Sequence, residues 1–146
     1  MTLSLSKEFL LPRPFGSWVI ENTIFEIVSA EAHALSAIEA ALTLRRRLRD
    51  KTVDLERDIV KIKVRTHAAA CLIIDKSGQL KNAGDRDHCM QYVLAVIMLK
   101  SSEPEYGYYS DKSPWAIDER VENLRRKMDI IEDKHFIQRR DPWQAL

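Results

Sequence analysis

Between Lys76 and Tyr92 the sequence concentrates side chains capable of chemistry: Lys76, Lys81, Asn82, Arg86, Asp87, His88 and Tyr92 surround a loop that leads into an apolar helical stretch. Cations beside the unsatisfied N–H groups of a helix start suit a carboxylate ligand, and a histidine or tyrosine nearby suits proton transfer. Lys81 and Arg86 are therefore candidate substrate-binding residues, and His88 and Tyr92 candidate catalytic groups. The same pattern also describes a capped helix with a charged first turn. His33, on an alanine-rich helix start, reads either as a further proton carrier or as a packed histidine with local partners. His67 and Cys71 stand at helical i,i+4 spacing and Cys89 follows His88, but no second pair fixes a tetrahedral site, so no metal is expected. A Gly-rich phosphate loop, a nucleophile elbow and a paired-cysteine zinc signature are all absent, and no cofactor is implied.

The elements that must position these groups follow from periodicity. Leu3 and Leu5 alternate with Thr2, Ser4 and Ser6 as in a short strand, before turn chemistry at Pro12, Pro14 and Gly16. Ser17 to Phe25 fits a strand or a short helix. From Ala32 to Arg49, Leu35, Ile38, Leu42, Leu44 and Leu48 recur at helical spacing, with Arg45, Arg46, Arg47 and Arg49 complementing the negative end of the dipole. Alternation over 59–65 predicts a strand with one buried face, and Thr66 can cap a helix over 67–74. An extended loop then precedes a helix over 85–99, apolar on nearly every side and so expected to run through the core. Tyr106, Tyr108 and Tyr109 crowd a loop, a charged helix covers about 118–128, and Ile130 and Ile131 suit a short strand.

One strong strand and a few weak ones make a sparse sheet, and exposed strand edges recruit other strands. An α+β fold, with its small sheet packed by several helices and completed by a homodimer, is the expectation. The 146 residues suit a single domain over 1–146. Hydrophobic residues at 45% and charged residues at 31% fit a globular protein, and a formal charge of +1 supplies no field for nucleic acid or anionic lipid. Two cysteines inside apolar stretches suit a reducing, cytoplasmic setting. Residues 1–11 do not read as a signal peptide, and no apolar run is long enough to span a membrane.

The order of segments carries a resemblance. RPFGSWVIENTIFEI, AEAHALSAIEAAL, RTHAAACLIIDKSGQLKN and GDRDHCMQYVLAVIML, followed by YYSD, LRRKM and IIEDKHF, closely resemble the MmgE/PrpD family, which includes 2-methylcitrate dehydratase and the cis-aconitate decarboxylase branch. The resemblance implies a large all-helical lobe and a smaller α+β lid with a metal-free site between them, and this chain is similar to the lid. It places His33, His88 and Tyr92 at family active-site positions. Where the family has a lysine after the matched Phe25, this sequence has Glu26, which reverses the charge. Val28-Ser29-Ala30 is one residue shorter than the family pattern and lacks its proline. Weak binding of citrate-like trianions is therefore expected.

Three functions compete at this stage. A repurposed lid acting alone would form a dimer around an apolar pocket and promote a lyase, isomerase or cyclase reaction on a small biosynthetic metabolite, with Trp18, Glu26 and Tyr108 lining the pocket beside His88 and Tyr92. A docking module would instead serve a separate helical-lobe partner. A portion of a 2-methylcitrate dehydratase would retain the family's hydro-lyase chemistry.

Overall fold

The computed structural model describes residues 28–49, 51 and 53–138, together with Gly16 and Glu21. The expected strand at Leu3 and Leu5, the segment Ser17 to Phe25, and the candidates Trp18 and Glu26 lie outside the described residues. In the described part a 3₁₀ turn, Ala32–Ala34, leads into helix α1 (Leu35–Leu48). Strand β1 (Ile62–Thr66), the short helices α2 (Ala68–Ile73) and α3 (Ala83–Asp87), and the longer α4 (Met90–Lys100) follow. Two 3₁₀ turns, Tyr106–Tyr108 and Pro114–Ile117, then precede α5 (Glu119–Arg126) and β2 (Met128–Glu132).

Helix α4 is the centre of the core. Met90 to Met98 are all buried, as expected for a helix without a polar face. α1 packs on it through Ala37, Ile38 and Ala41, and α5 contributes Val121 and Leu124. Small residues on α1 let the two helices approach closely, and the long side chains of α4 fill the space between elements. The sheet is the sparse one the alternation implied: among the described residues it has two strands, β1 and β2, parallel, with Ile62 opposite Met128 and Thr66 opposite Glu132. Ile62 and Val64 pack against the core, and Lys63 and Arg65 point outward.

Three local differences from the sequence reading have physical causes. β1 starts at Ile62 rather than Ile59 because the ladder begins where the Ile62 N–H donates to the Lys127 carbonyl; the Ile59 carbonyl instead accepts from Lys127 Nζ at 2.7 Å. Thr66 is used up as the last residue of the strand, so His67 caps α2, its Nδ1 accepting from the Ala70 N–H. The helix expected over 85–99 is two helices, broken at His88 and the extended Cys89. There the Met90 N–H donates to the Ile74 carbonyl at 2.8 Å, a nonlocal bond that pins the start of α4 to the end of α2.

Candidate functional site

The loop between α2 and α3 is built around carboxylates and one arginine. Asn82 caps α3 by accepting from the Asp85 N–H at 2.9 Å, and Asp85 in turn accepts from the Lys81 N–H at 2.9 Å and from Lys76 Nζ at 3.4 Å. The Lys81 N–H bond is the main cause that holds the Asp85 carboxyl below its usual range. Arg125, buried on α5, donates to the carbonyls of Lys76, Ser77 and Gly78 and to Glu122. It clamps the loop to the core by satisfying carbonyls that have no strand or helix to serve them. Lys81, which the sequence offered as a ligand cation, stands exposed beside this loop.

Arg86 and Tyr92 face one another's neighbourhood from α3 and α4. Arg86 is buried, donates from Nε to the Tyr109 carbonyl at 2.6 Å and pairs with Asp111. Tyr92 donates its hydroxyl to the Tyr108 carbonyl at 2.8 Å, and burial pushes its phenol up to about 12. Both line a cleft of about 600 Å³ with Leu80, Trp115 and Arg125. Tyr108 is buried as well, donating to Glu105 Oε1 at 2.5 Å and packing edge-on against Trp115. Arg86 and Tyr92 hold the 105–111 loop against α3 and α4, and the Tyr108 hydroxyl closes a bond within the loop.

The histidines have different surroundings. His88 caps the end of α3 with its side chain 47% exposed and its Nδ1 3.2 Å from Asp87. His33 is half-buried on the turn before α1, bonded through Nδ1 to Glu31 Oε1 at 2.5 Å, with its ring 5.3 Å from that of His67. An open hollow of about 480 Å³ is lined by Val28, Ser29, Ala30, Ala83, Gly84, Asp87, Tyr106 and Tyr109. Neither histidine lines it, although Asp87 directly precedes His88 and Ala30 stands three residues before His33. Tyr109 ties the two sides together, donating its hydroxyl to the Ser29 carbonyl at 2.5 Å, and burial raises its phenol further than that of Tyr92. Tyr106, 86% exposed, and Leu72, equally exposed, present apolar surface to solvent.

The arrangement therefore separates the candidates into groups. Arg86 and Tyr92 bond the backbone carbonyls of Tyr109 and Tyr108; His33 and His88 are partly exposed, each beside a carboxylate; Lys81 stands apart. Glu31 and Arg125 were not among the sequence candidates. Glu31 two residues before His33 was the available signal, as an acid within reach of an imidazole. Burial pushes the Cys89 thiol up, and desolvation does the same to Cys71. Among the described residues no group of three or more His, Cys, Asp or Glu side chains is arranged to hold a metal ion, and no helix is long and apolar enough to cross a membrane.

A small parallel sheet packed by several helices makes the described part an α+β domain. The sequence model of the MmgE/PrpD C-terminal domain matches residues 28–145, and the chain belongs to the MmgE/PrpD family. It is 49% identical over 128 residues to a 2-methylcitrate dehydratase-like protein, oryR, of Aspergillus oryzae, covering 88% of this chain and 26% of that relative. It is 43% identical over 139 residues to the alkylcitrate dehydratase phiI of Talaromyces stipitatus (94% of this chain, 29% of the relative). With the 2-methylcitrate dehydratase of Escherichia coli it shares 41% over 133 residues (89% and 26%). The chain thus spans about a quarter of the length of the curated relatives it matches.

Proposed function

We propose that the chain supplies the lid half of a hydro-lyase site for an alkyl-substituted citrate, closed by an all-helical lobe on the same polypeptide or on a partner. The observation that carries this reading is a pair of partly exposed histidines, each held beside a carboxylate, His33 by Glu31 and His88 by Asp87, together with an open hollow lined by their chain neighbours Ala30 and Asp87. Elimination of water needs a base at a weakly acidic C–H and donors for carboxylates. In this reading His33 and His88 serve the proton, and Tyr92, Tyr108 and Arg86 keep the lid rigid enough to present them. Relatives named as 2-methylcitrate and alkylcitrate dehydratases support the substrate class.

Mixing this chain with the helical lobe of a full-length relative and following the alkene formed from 2-methylcitrate is the direct test. Turnover should require both parts, and its absence from the mixture overturns the proposal. Glu26→Lys, which restores the family charge, should tighten tricarboxylate binding about tenfold, on the order of one close charge pair.

A second reading, the repurposed lid acting as a homodimer, is favoured by one feature. The outer edge of β1 borders an apolar hollow of about 390 Å³ that includes Leu44 and Phe136, both exposed. A second copy pairing there would complete the sheet, and light scattering after size exclusion separates dimer from monomer.

A further inference from the structure

Glu31 makes two bonds with one carboxylate. Its Oε2 accepts the His33 backbone N–H at 2.8 Å while its Oε1 meets the His33 ring at Nδ1, 2.5 Å away. An ionised carboxylate only accepts, so the ring hydrogen lies on Nδ1, and the lone pair is left on Nε2, which has no hydrogen-bond partner among the described residues. The adjacent ring is fixed the other way. His67 Nδ1 accepts the Ala70 N–H at 3.3 Å, so a neutral His67 carries its hydrogen on Nε2.

From this geometry we infer that Glu31 is a positioning residue that holds His33 in the Nδ1–H tautomer, with Nε2 as the proton acceptor toward a ligand. A proton taken up at Nε2 makes an imidazolium whose charge the Glu31 carboxylate balances across the Nδ1–H bond. The neighbouring His67 Nδ1 is committed to capping α2 and is not offered to a ligand. Glu31 thus fixes tautomer, ring orientation and turn geometry at once, and this deepens the role given to His33 in the proposed function, on which its catalytic part rests.

The test is long-range ¹⁵N–¹H NMR of the imidazoles in the 146-residue chain, whose four histidines are assignable by single substitution. The unsubstituted chain should show His33 as the Nδ1–H form and His67 as the Nε2–H form in the same spectrum. A His33 hydrogen on Nε2 overturns the inference without any variant. In Glu31→Ala the His33 hydrogen should move to Nε2, the form free histidine prefers, and an unchanged tautomer overturns it equally. In the mixture with the helical lobe, Glu31→Ala should lower kcat about tenfold with KM within about twofold, and Glu31→Asp should recover part of the loss. A moved tautomer with unchanged kcat defeats the positioning role. If the unsubstituted mixture is itself inactive, the functional proposal fails and the spectrum alone decides the assignment of Glu31.

Discussion

Helix α4 and the segment ending at His88 are neighbours in the chain, yet their surroundings are opposite. From Met90 to Met98 every side chain of α4 is enclosed by other elements. Two residues before its start, His88 has nearly half its side chain in solvent, and the partly exposed His33 is likewise held beside a carboxylate. The extended Cys89 separates the two regimes, with its neighbour Met90 bonded to Ile74. The lesson is that the scaffold's rigidity lies in α4 and not at the histidines, so function and stability should respond to different substitutions.

The largest effect should come from the enclosed side. Ile97→Ala, at a fully buried position, should cost about 3 kcal/mol in urea denaturation, through lost transfer energy plus a cavity. Arg125→Met keeps much of the volume but leaves the carbonyls of Lys76, Ser77 and Gly78 without their donor, and should cost about 2 kcal/mol. A cost as small as a surface change would show that solvent replaces the clamp.

Tyr92 gives the comparison a pH signature. Its folded pKa of about 12 lies above the ordinary tyrosine value of 10.0, so the folded state binds the proton more tightly. That contribution is complete below pH about 10 and is lost as pH rises through the folded value, a loss on the order of 2 kcal/mol. Tyr92→Phe should therefore be less stable at neutral pH by about 1 kcal/mol, for the hydrogen bond to the Tyr108 carbonyl, and show a shallower decline in alkali. Parallel alkaline limbs in the two proteins would reassign the effect to Tyr109, whose phenol is raised as well.

Asn82→Ala removes the cap of α3 and should cost about 1 kcal/mol, detectable as a small shift of the denaturation midpoint. Smallest of all, His88→Ala should change stability by no more than about 0.5 kcal/mol while removing turnover of the assembled site. A large destabilisation there would make the residue part of the scaffold and end the contrast.

Much of the scaffold was legible in the residues. Alternation over 59–65 marked a half-buried strand, found at Ile62–Thr66, and the unbroken apolar run after Cys89 marked an interior helix, because both patterns are local consequences of burial. The break at His88 and Cys89 was not legible, since its cause is a bond to Ile74, fixed only once the chain has folded. Tyr92 was read as a proton donor from its type and from the family likeness. That its hydroxyl is spent on the Tyr108 carbonyl depends on where a loop sixteen residues away comes to rest. His33 and His88 emerged as candidates from the sequence, but the contact of Glu31 with the His33 ring depends on the course of the Ala32–Ala34 turn, which residue types alone do not fix.

The parallel pairing of β1 with β2 also constrains the order of assembly. Ile62 meets Met128 only after α2, α3, α4 and α5, all of which lie between the strands in sequence, have been laid down. Closing so long a segment carries an entropic cost that a five-residue ladder cannot offset until the helices are in place. The ladder is thus a late clasp, and strand-disrupting changes such as Val64→Gly should accelerate unfolding far more than they slow refolding.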